Sequence, residues 1–228
     1  EGKPMPTLVT GVLSSGKKSF YESAQGVTSY FDIAGKLYKP APQPYGMILL
    51  KSLKEQAREI EKNSGASLID LGDGVVCCEF HSKMNAIGGD LIAMINRGLA
   101  RLRTDFDAMV IANQGVNFSA GANLMLILMT AQEQEWDDLH LMIRQFQNAT
   151  LGIKHAQKPV VVAPQGLALG GGCEIALHAT RIHAAAEAYI GLVETGVGLI
   201  PGGGGTKEMM IRANERAEGE EDIDLSHA

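Results

Sequence analysis

The spacing of apolar positions changes several times along the chain, and each change predicts an element. Leu49, Leu50, Leu53, Ala57 and Ile60 recur at helical spacing, with Gly65 placed as a terminator, so residues 47–63 are read as an amphipathic helix. Residues 67–71 and 75–80 flank Gly72-Asp73-Gly74, the pattern of two strands about a tight turn, the second of them central in its sheet. Leu91, Ile92, Ile95, Leu99 and Leu102 then mark a helix, and the short apolar run from Ala108 to Ala112 a buried strand. Trp136, Leu139, Met142, Ile143, Phe146 and Ala149 outline another helix, whose start the acidic run 133–138 favours. A strand at 159–163, a helix at 172–180, a strand near 181–185 and a last helix from Thr206 complete the series. Alternation of this kind predicts an α/β layered fold with largely parallel strands, and no internal repeat is visible.

The flanks lack this order. Prolines at 40, 42 and 44 favour extended backbone, so residues 36–45 are read as a linker, and residues 1–34 carry no motif. The expected division is an N-terminal extension and linker at 1–65, an α/β domain at 66–213 and a polar tail at 214–228. A chain that begins at Glu1 and ends in acidic and polar residues is expected to be a piece of something longer.

Composition narrows the function classes. Lys and Arg number 20 against 26 Asp and Glu, and a net charge of −6 argues against general affinity for nucleic acid or anionic lipid. No run reaches the ~18 apolar residues of a membrane span, and no signal peptide is expected. Three cysteines, two of them adjacent, predict no disulfide framework and a reducing compartment, taken as the cytoplasm. The six histidines show no metal spacing, so no metal site is expected. Cys173, Met125, Met129 and Met142 are read as core.

Two glycine-bearing loops follow strands in the alternation, residues 117–123 (NFSAGAN) and 166–174 (GLALGGGCE). In layered α/β proteins ligands sit at such strand ends, where helix N-termini present unpaired N–H groups. Two main-chain donors converging on one carbonyl oxygen would stabilise an oxyanion, an effect of roughly 2.7–4 kcal/mol per donor in known cases. Glu174 lies one helical turn beyond Gly170, and a second acid, Glu194, stands in GLVETG at 191–196. Two carboxylates beside one polarised carbonyl suit general acid and base work. The glycines at 202–205 invite a phosphate-loop reading, but Thr206 precedes Lys207, the wrong order, and Gly196-Val197-Gly198 continues into Pro201 rather than into a dinucleotide fingerprint.

Lys83-Met84-Asn85-Ala86, FSAGAN at 118–123, KPVVVAPQGLALGGGCEIAL at 158–177 and GLVETGVGLIPGGGGT at 191–206 stand in an order that resembles the crotonase, or enoyl-CoA hydratase/isomerase, superfamily. The resemblance covers about residues 74–212. It implies stacked β-β-α turns forming a superhelix, and an acyl-CoA thioester whose carbonyl oxygen lies between the N–H groups of Ala122 and Gly171. It also implies that Glu174 and Glu194 are the catalytic acids of hydration of a trans-2-enoyl-CoA in fatty-acid β-oxidation. Ala86, Ala120, Asn123, Leu124, Gly170, Pro201 and Gly202 would line the substrate, with Lys83 as a candidate on the CoA side. Two alternatives stay open: a Δ3,Δ2-enoyl-CoA isomerase, and a non-catalytic acyl-CoA binding or assembly module. A fainter likeness to multifunctional β-oxidation proteins would make residues 1–65 the tail of an upstream 3-hydroxyacyl-CoA dehydrogenase region. The chemistry would need no cofactor beyond the coenzyme A of its substrate, with NAD confined to that dehydrogenase region. Family members usually continue into several C-terminal helices, whereas only 16 residues follow Arg212 here, so the helical region is expected to be truncated. The partner is expected to be a second copy or the covalent dehydrogenase domain.

Overall fold

A computed structural model describes residues 4–24, 26–42 and 46–221, with side chains from 216 onward left aside. The chain divides into two compact units, residues 1–59 and 60–228.

In the first unit, helix α1 (Thr7–Ser14) precedes three strands, β1 (Tyr21–Ala24), β2 (Val27–Asp32) and β3 (Leu37–Pro40), which pair antiparallel in the order β1-β2-β3. A short helix, α2 (Leu50–Glu55), follows. Val12, Phe31 and Leu50 are buried, and Phe31 meets the Tyr38 ring edge to face at 5.7 Å. The expected linker is therefore strand for four of its residues. Proline ends that strand without loss because β3 lies at the sheet edge, where a missing N–H is tolerated. Residues 43–45 of the expected linker lie outside the described residues.

The expected helix over 47–63 is also corrected. It ends at Glu55, Ala57 takes φ 60°, and Glu59–Lys62 forms strand β4. A left-handed residue breaks the helical register, and the alternation Glu59-Ile60-Glu61 then sends Ile60 against the core.

The second unit is built on a six-stranded sheet. Strands β5 (Ala66–Gly72) and β6 (Val75–Phe80) form the expected hairpin, with Asp73 and Gly74 both at positive φ as a tight two-residue turn requires. Helix α3 (Gly89–Thr104) carries the chain to β7 (Ala108–Ala112), which pairs parallel with β6. Two helices, α4 (Leu124–Gln132) and α5 (Trp136–Lys154), lead to β8 (Val160–Val162), parallel to β7. A short strand β9 (Leu167–Leu169) and helix α6 (Gly171–Leu177) lead to β10 (Arg181–Ile182), parallel to β8. The order is β10-β8-β7-β6-β5-β4, so β6 is interior as expected. Strand β11 (Tyr189–Gly191) pairs parallel with β9 as a separate two-stranded sheet, and α7 (Gly205–Glu221) closes the described chain. Residues 222–228 of the expected tail lie outside the described residues.

Leu91, Met94, Ile95 and Leu102 of α3 pack with Leu68, Val76 and Met109 of the sheet in one buried cluster. Burying side chains of this size stabilises by about 1.5–3 kcal/mol each before entropy is counted. Helix α4 was not foreseen as an element, and its apolar residues are not core: Met125 and Met129 are 65% and 50% exposed. A continuous apolar run cannot say by itself whether it is buried. Cys77, Cys78 and Cys173 are buried, and none of the three is in a disulfide.

Candidate functional site

Three segments that leave the carboxyl ends of β6, β7 and β8 lie side by side. Ile87 pairs with Ala122 through its N–H on the Gly121 carbonyl at 2.8 Å, and Ser119 pairs with Ala168 through bonds to Leu167 and Leu169. Loop 113–121 is fixed by side chains as well as backbone. Asn113 Nδ2 donates to the Phe118 carbonyl at 3.0 Å, Asn117 Oδ1 accepts from Leu167 N–H at 3.0 Å, and Asn85 Nδ2 donates to the Asn117 carbonyl at 3.0 Å. Ser119 Oγ donates to the Asn85 carbonyl at 2.7 Å and accepts from Gly121 N–H at 3.1 Å. None of these holding residues was picked out in the sequence as a positioning group, because a buried Asn or Ser reveals its role only once the loops it bridges are known.

The two glycine loops interlock. A methyl group at Gly121 would stand 2.9 Å from the Leu169 carbonyl oxygen and 3.6 Å from the Gly171 nitrogen. Gly170 has φ 52° and donates its N–H to the Gly191 carbonyl at 2.9 Å, which turns the chain so that Gly171 begins α6. As the first residue of a helix, Gly171 has an N–H without an intrahelical partner. Among the described residues, neither that N–H nor the N–H of Ala122 is committed to a hydrogen bond.

Both acids come to this place. Glu174, 2% exposed, accepts at Oε1 from the N–H of Gly203 (2.8 Å) and of Gly205 (2.9 Å), the turn that opens α7. A carboxylate at that helix N-terminus gains from the helix dipole. Burial nevertheless pushes Glu174 above the usual carboxylate range; the two N–H donors oppose this, and the Glu194 charge adds to it. Glu194 follows β11, and the pairing of β11 with β9 lays its Oε1 3.1 Å from where a side chain on Gly170 would begin. Its Oε2 is buried without a hydrogen-bond partner among the described residues. Burial, then Glu174, then Glu194 push the Cys173 thiol up to about 11, so this cysteine is a packing residue and no nucleophile.

Of the other residues expected to line the substrate, Ala86 and Ala120 are half-buried beside the Ile87–Ala122 pairing, with Ala120 N–H on the Met84 carbonyl at 3.1 Å. Asn123 is exposed and caps α4 by accepting from Leu126 N–H, and Leu124, 45% exposed, is the first residue of that helix. Pro201 and Gly202 are half-buried at the entrance to the glycine turn, where Gln147 Nε2 of α5 donates to the Gly202 carbonyl at 2.8 Å. Lys83 is exposed in a 3-10 turn at Lys83–Asn85. Gly203 and Gly205, which hold Glu174, were missed by the sequence reading. Their signal was the glycine run just ahead of a helix, where amides are orphaned. Phe146 was assigned to a helix but not to the site. Its ring lies 3.2 Å from a side-chain position on Gly171 and 2.3 Å from one on Gly203.

Among the described residues no group of three or more His, Cys, Asp or Glu could hold a metal ion, and no helix is long and apolar enough to cross a membrane.

Residues 71–221 match the family described as Enoyl-CoA hydratase/isomerase. A Bacillus subtilis protein named "Probable 3-hydroxyacyl-CoA dehydrogenase" is 50% identical over 210 residues, 92% of this chain and 26% of that one. A peroxisomal fatty acid beta-oxidation multifunctional protein of Arabidopsis thaliana is 31% identical over 152 residues, 65% of this chain and 21% of its own length. Among solved structures, enoyl-CoA hydratases from Bacillus anthracis and Polaromonas sp. JS666 superpose with TM-scores of 0.57 and 0.60 at 26% identity, covering 64% and 63% of this chain and 57% of each of theirs. The chain thus spans about a quarter of those long relatives and rather more than half of the solved hydratases. With its four motifs, its fold and its matched span in agreement, the chain belongs to the enoyl-CoA hydratase/isomerase family, the crotonase superfamily.

Proposed function

We propose that this domain adds water to a trans-2-enoyl-CoA in fatty-acid β-oxidation. In this reading the thioester carbonyl oxygen sits between the N–H groups of Ala122 and Gly171. As water oxygen bonds to C3, the C2–C3 π pair moves to C2 and the thioester carbonyl takes up enolate charge, which the two donors stabilise. One of Glu174 and Glu194 takes a proton from the water and the other supplies one to C2, so the pair holds the same number of protons after addition and a proton exchanged between them resets each acid for the next turnover. No metal or redox cofactor enters the balance, coenzyme A is part of the substrate, and NAD would serve a dehydrogenase region only. One long relative is named for a 3-hydroxyacyl-CoA dehydrogenase and another for a multifunctional beta-oxidation protein, which supports a covalent dehydrogenase partner in the whole protein. The cysteine usage favours a reducing compartment, read as the cytoplasm.

The observation that carries this reading is the convergence of both carboxylates on one glycine corner: Glu194 against Gly170, and Glu174 one turn along α6 with Oε1 held by the Gly203 and Gly205 N–H groups. The test is loss of enoyl-thioester ultraviolet absorbance on crotonyl-CoA, with Glu174→Gln and Glu194→Gln each expected to lower kcat by about 10²–10⁴-fold. Conversion of a 3-enoyl-CoA without hydration would replace this reading by the isomerase, and acyl-CoA binding unchanged in both variants without turnover would replace it by a binding module.

A further inference from the structure

Behind Glu174 a buried carboxylate and a buried imidazole meet two lysines that reach solvent, a cluster that this chemistry does not use. Glu208, 1% exposed, sits on the first turn of α7. It pairs with Lys154 of α5 and lies 2.8 Å from Lys207 Nζ. The fully buried ring of His178, one turn beyond Glu174 at the C-cap of α6, faces the same carboxylate, with Nε2 3.7 Å from Glu208 Oε1. His178 Nδ1 is 2.7 Å from the Glu174 carbonyl, which can only accept, so Nδ1 carries the proton and Nε2 is left as the variable position. Nε2 has no hydrogen-bond partner among the described residues. The edge of the same ring lies 3.2 Å from a side-chain position on Gly204, between the two glycines whose N–H groups hold Glu174. Thr150 Oγ1 donates to the Gly203 carbonyl at 2.9 Å, tying the turn to α5 as well. At the end of α6, Arg212 Nη2 donates to the Leu177 carbonyl.

We propose that Glu208 and His178 are positioning residues that set the proton affinity of Glu174 from behind, through the glycine turn and the charge balance of Lys154, Lys207, Glu208 and His178. This deepens the hydratase reading, on which it rests only for the use to which Glu174 is put. Burial works to raise the Glu208 carboxyl, and the two lysine ammoniums overcome it and hold it low, so it stays anionic. Burial likewise holds His178 below the ordinary histidine value, against the Glu174 carbonyl and Glu208 and with the two lysines, so it is neutral while the site works. The cluster then carries one net positive charge against the carboxylate of Glu174, and proton uptake by His178 in acid adds another.

The charge signs give a two-sided test on the full chain. Glu208→Gln keeps the shape and removes a negative charge, so the titration midpoint of Glu174, followed by carboxyl carbon NMR and assigned by Glu174→Gln, falls by roughly one pH unit. Lys154→Gln removes a positive charge and raises it by a similar amount. The acid limb of kcat/KM moves in the same directions. A merely structural role would lower stability in both variants and shift neither midpoint. Midpoints that coincide with the parent's, or that move together in one direction, overturn the proposal, as does a titration that moves while the acid limb stays. If Glu208→Gln does not fold, the sign of the Lys154→Gln shift decides. A parent without hydratase turnover would sink the function proposed above and still leave the NMR titration to judge the cluster.

Discussion

Gly203→Ala asks whether the turn that holds Glu174 tolerates any side chain. The added methyl would stand 2.3 Å from Phe146 Cε1 and 2.8 Å from Glu174 Oε2, where real Cβ atoms stay at least 3.0 Å from any neighbour. The ring or the turn must therefore open by at least about 0.7 Å. Forcing one carbon into a packed site costs about 1–3 kcal/mol. At ~2–4 °C per kcal/mol for a chain of this size, the melting temperature falls by roughly 2–12 °C. Activity suffers separately, because a displacement near 1 Å in a catalytic group can lower the rate about 10²-fold. Thermal denaturation reads the first effect and the crotonyl-CoA absorbance assay the second. Phe146→Leu alone should destabilise by emptying part of the same space, whereas combined with Gly203→Ala it should cost less than the sum of the two. Strict additivity, or a Gly203→Ala chain as stable and active as the parent, would refute the packing argument.

Two further outcomes concern stability and the oxyanion loop. Because Glu174 titrates above its unfolded value, the folded chain binds that proton more tightly; stability on its account is full below the ordinary carboxylate value near 4.5 and is lost as pH rises through the raised one. Glu174→Gln lacks that loss, so its stability relative to the parent should improve from about pH 4 to about pH 7.5 in urea denaturation, and a constant difference would contradict the assigned shift. Ser119→Ala leaves the buried Gly121 N–H and Asn85 carbonyl short of a partner, a cost of about 1–3 kcal/mol, and should lower kcat more than it raises KM, which steady-state kinetics would separate.

Periodicity was a good guide wherever burial dictated the residues. The hairpin about Asp73-Gly74, the face of α3 from Leu91 to Leu102 and the valines of β8 could all be read in advance because one side of each element is sealed in the core. It failed where the backbone did something no residue type announces. Ala57 takes φ 60° without being Gly or Asn, so the helical spacing from Leu49 to Ile60 concealed a helix, a break and a strand. Likewise Leu124 to Met129 has the composition of a core and the exposure of a surface helix. The acids and loops of the site were visible through their motifs. Gly203, Gly205, Ser119 and Phe146 act by filling or leaving space between segments far apart in sequence, and such complementarity exists only in three dimensions.

The bond from Gly170 N–H to the Gly191 carbonyl fastens the loop that carries Glu174 directly to the one that carries Glu194. Their separation is thereby independent of the excursion between α6 and β11, whose tip at Ala186 and Glu187 is exposed. That tip is a natural place for lineages to diverge or for an engineer to splice in a reporter peptide, because length added there is absorbed upstream of the clasp and never reaches the two carboxylates.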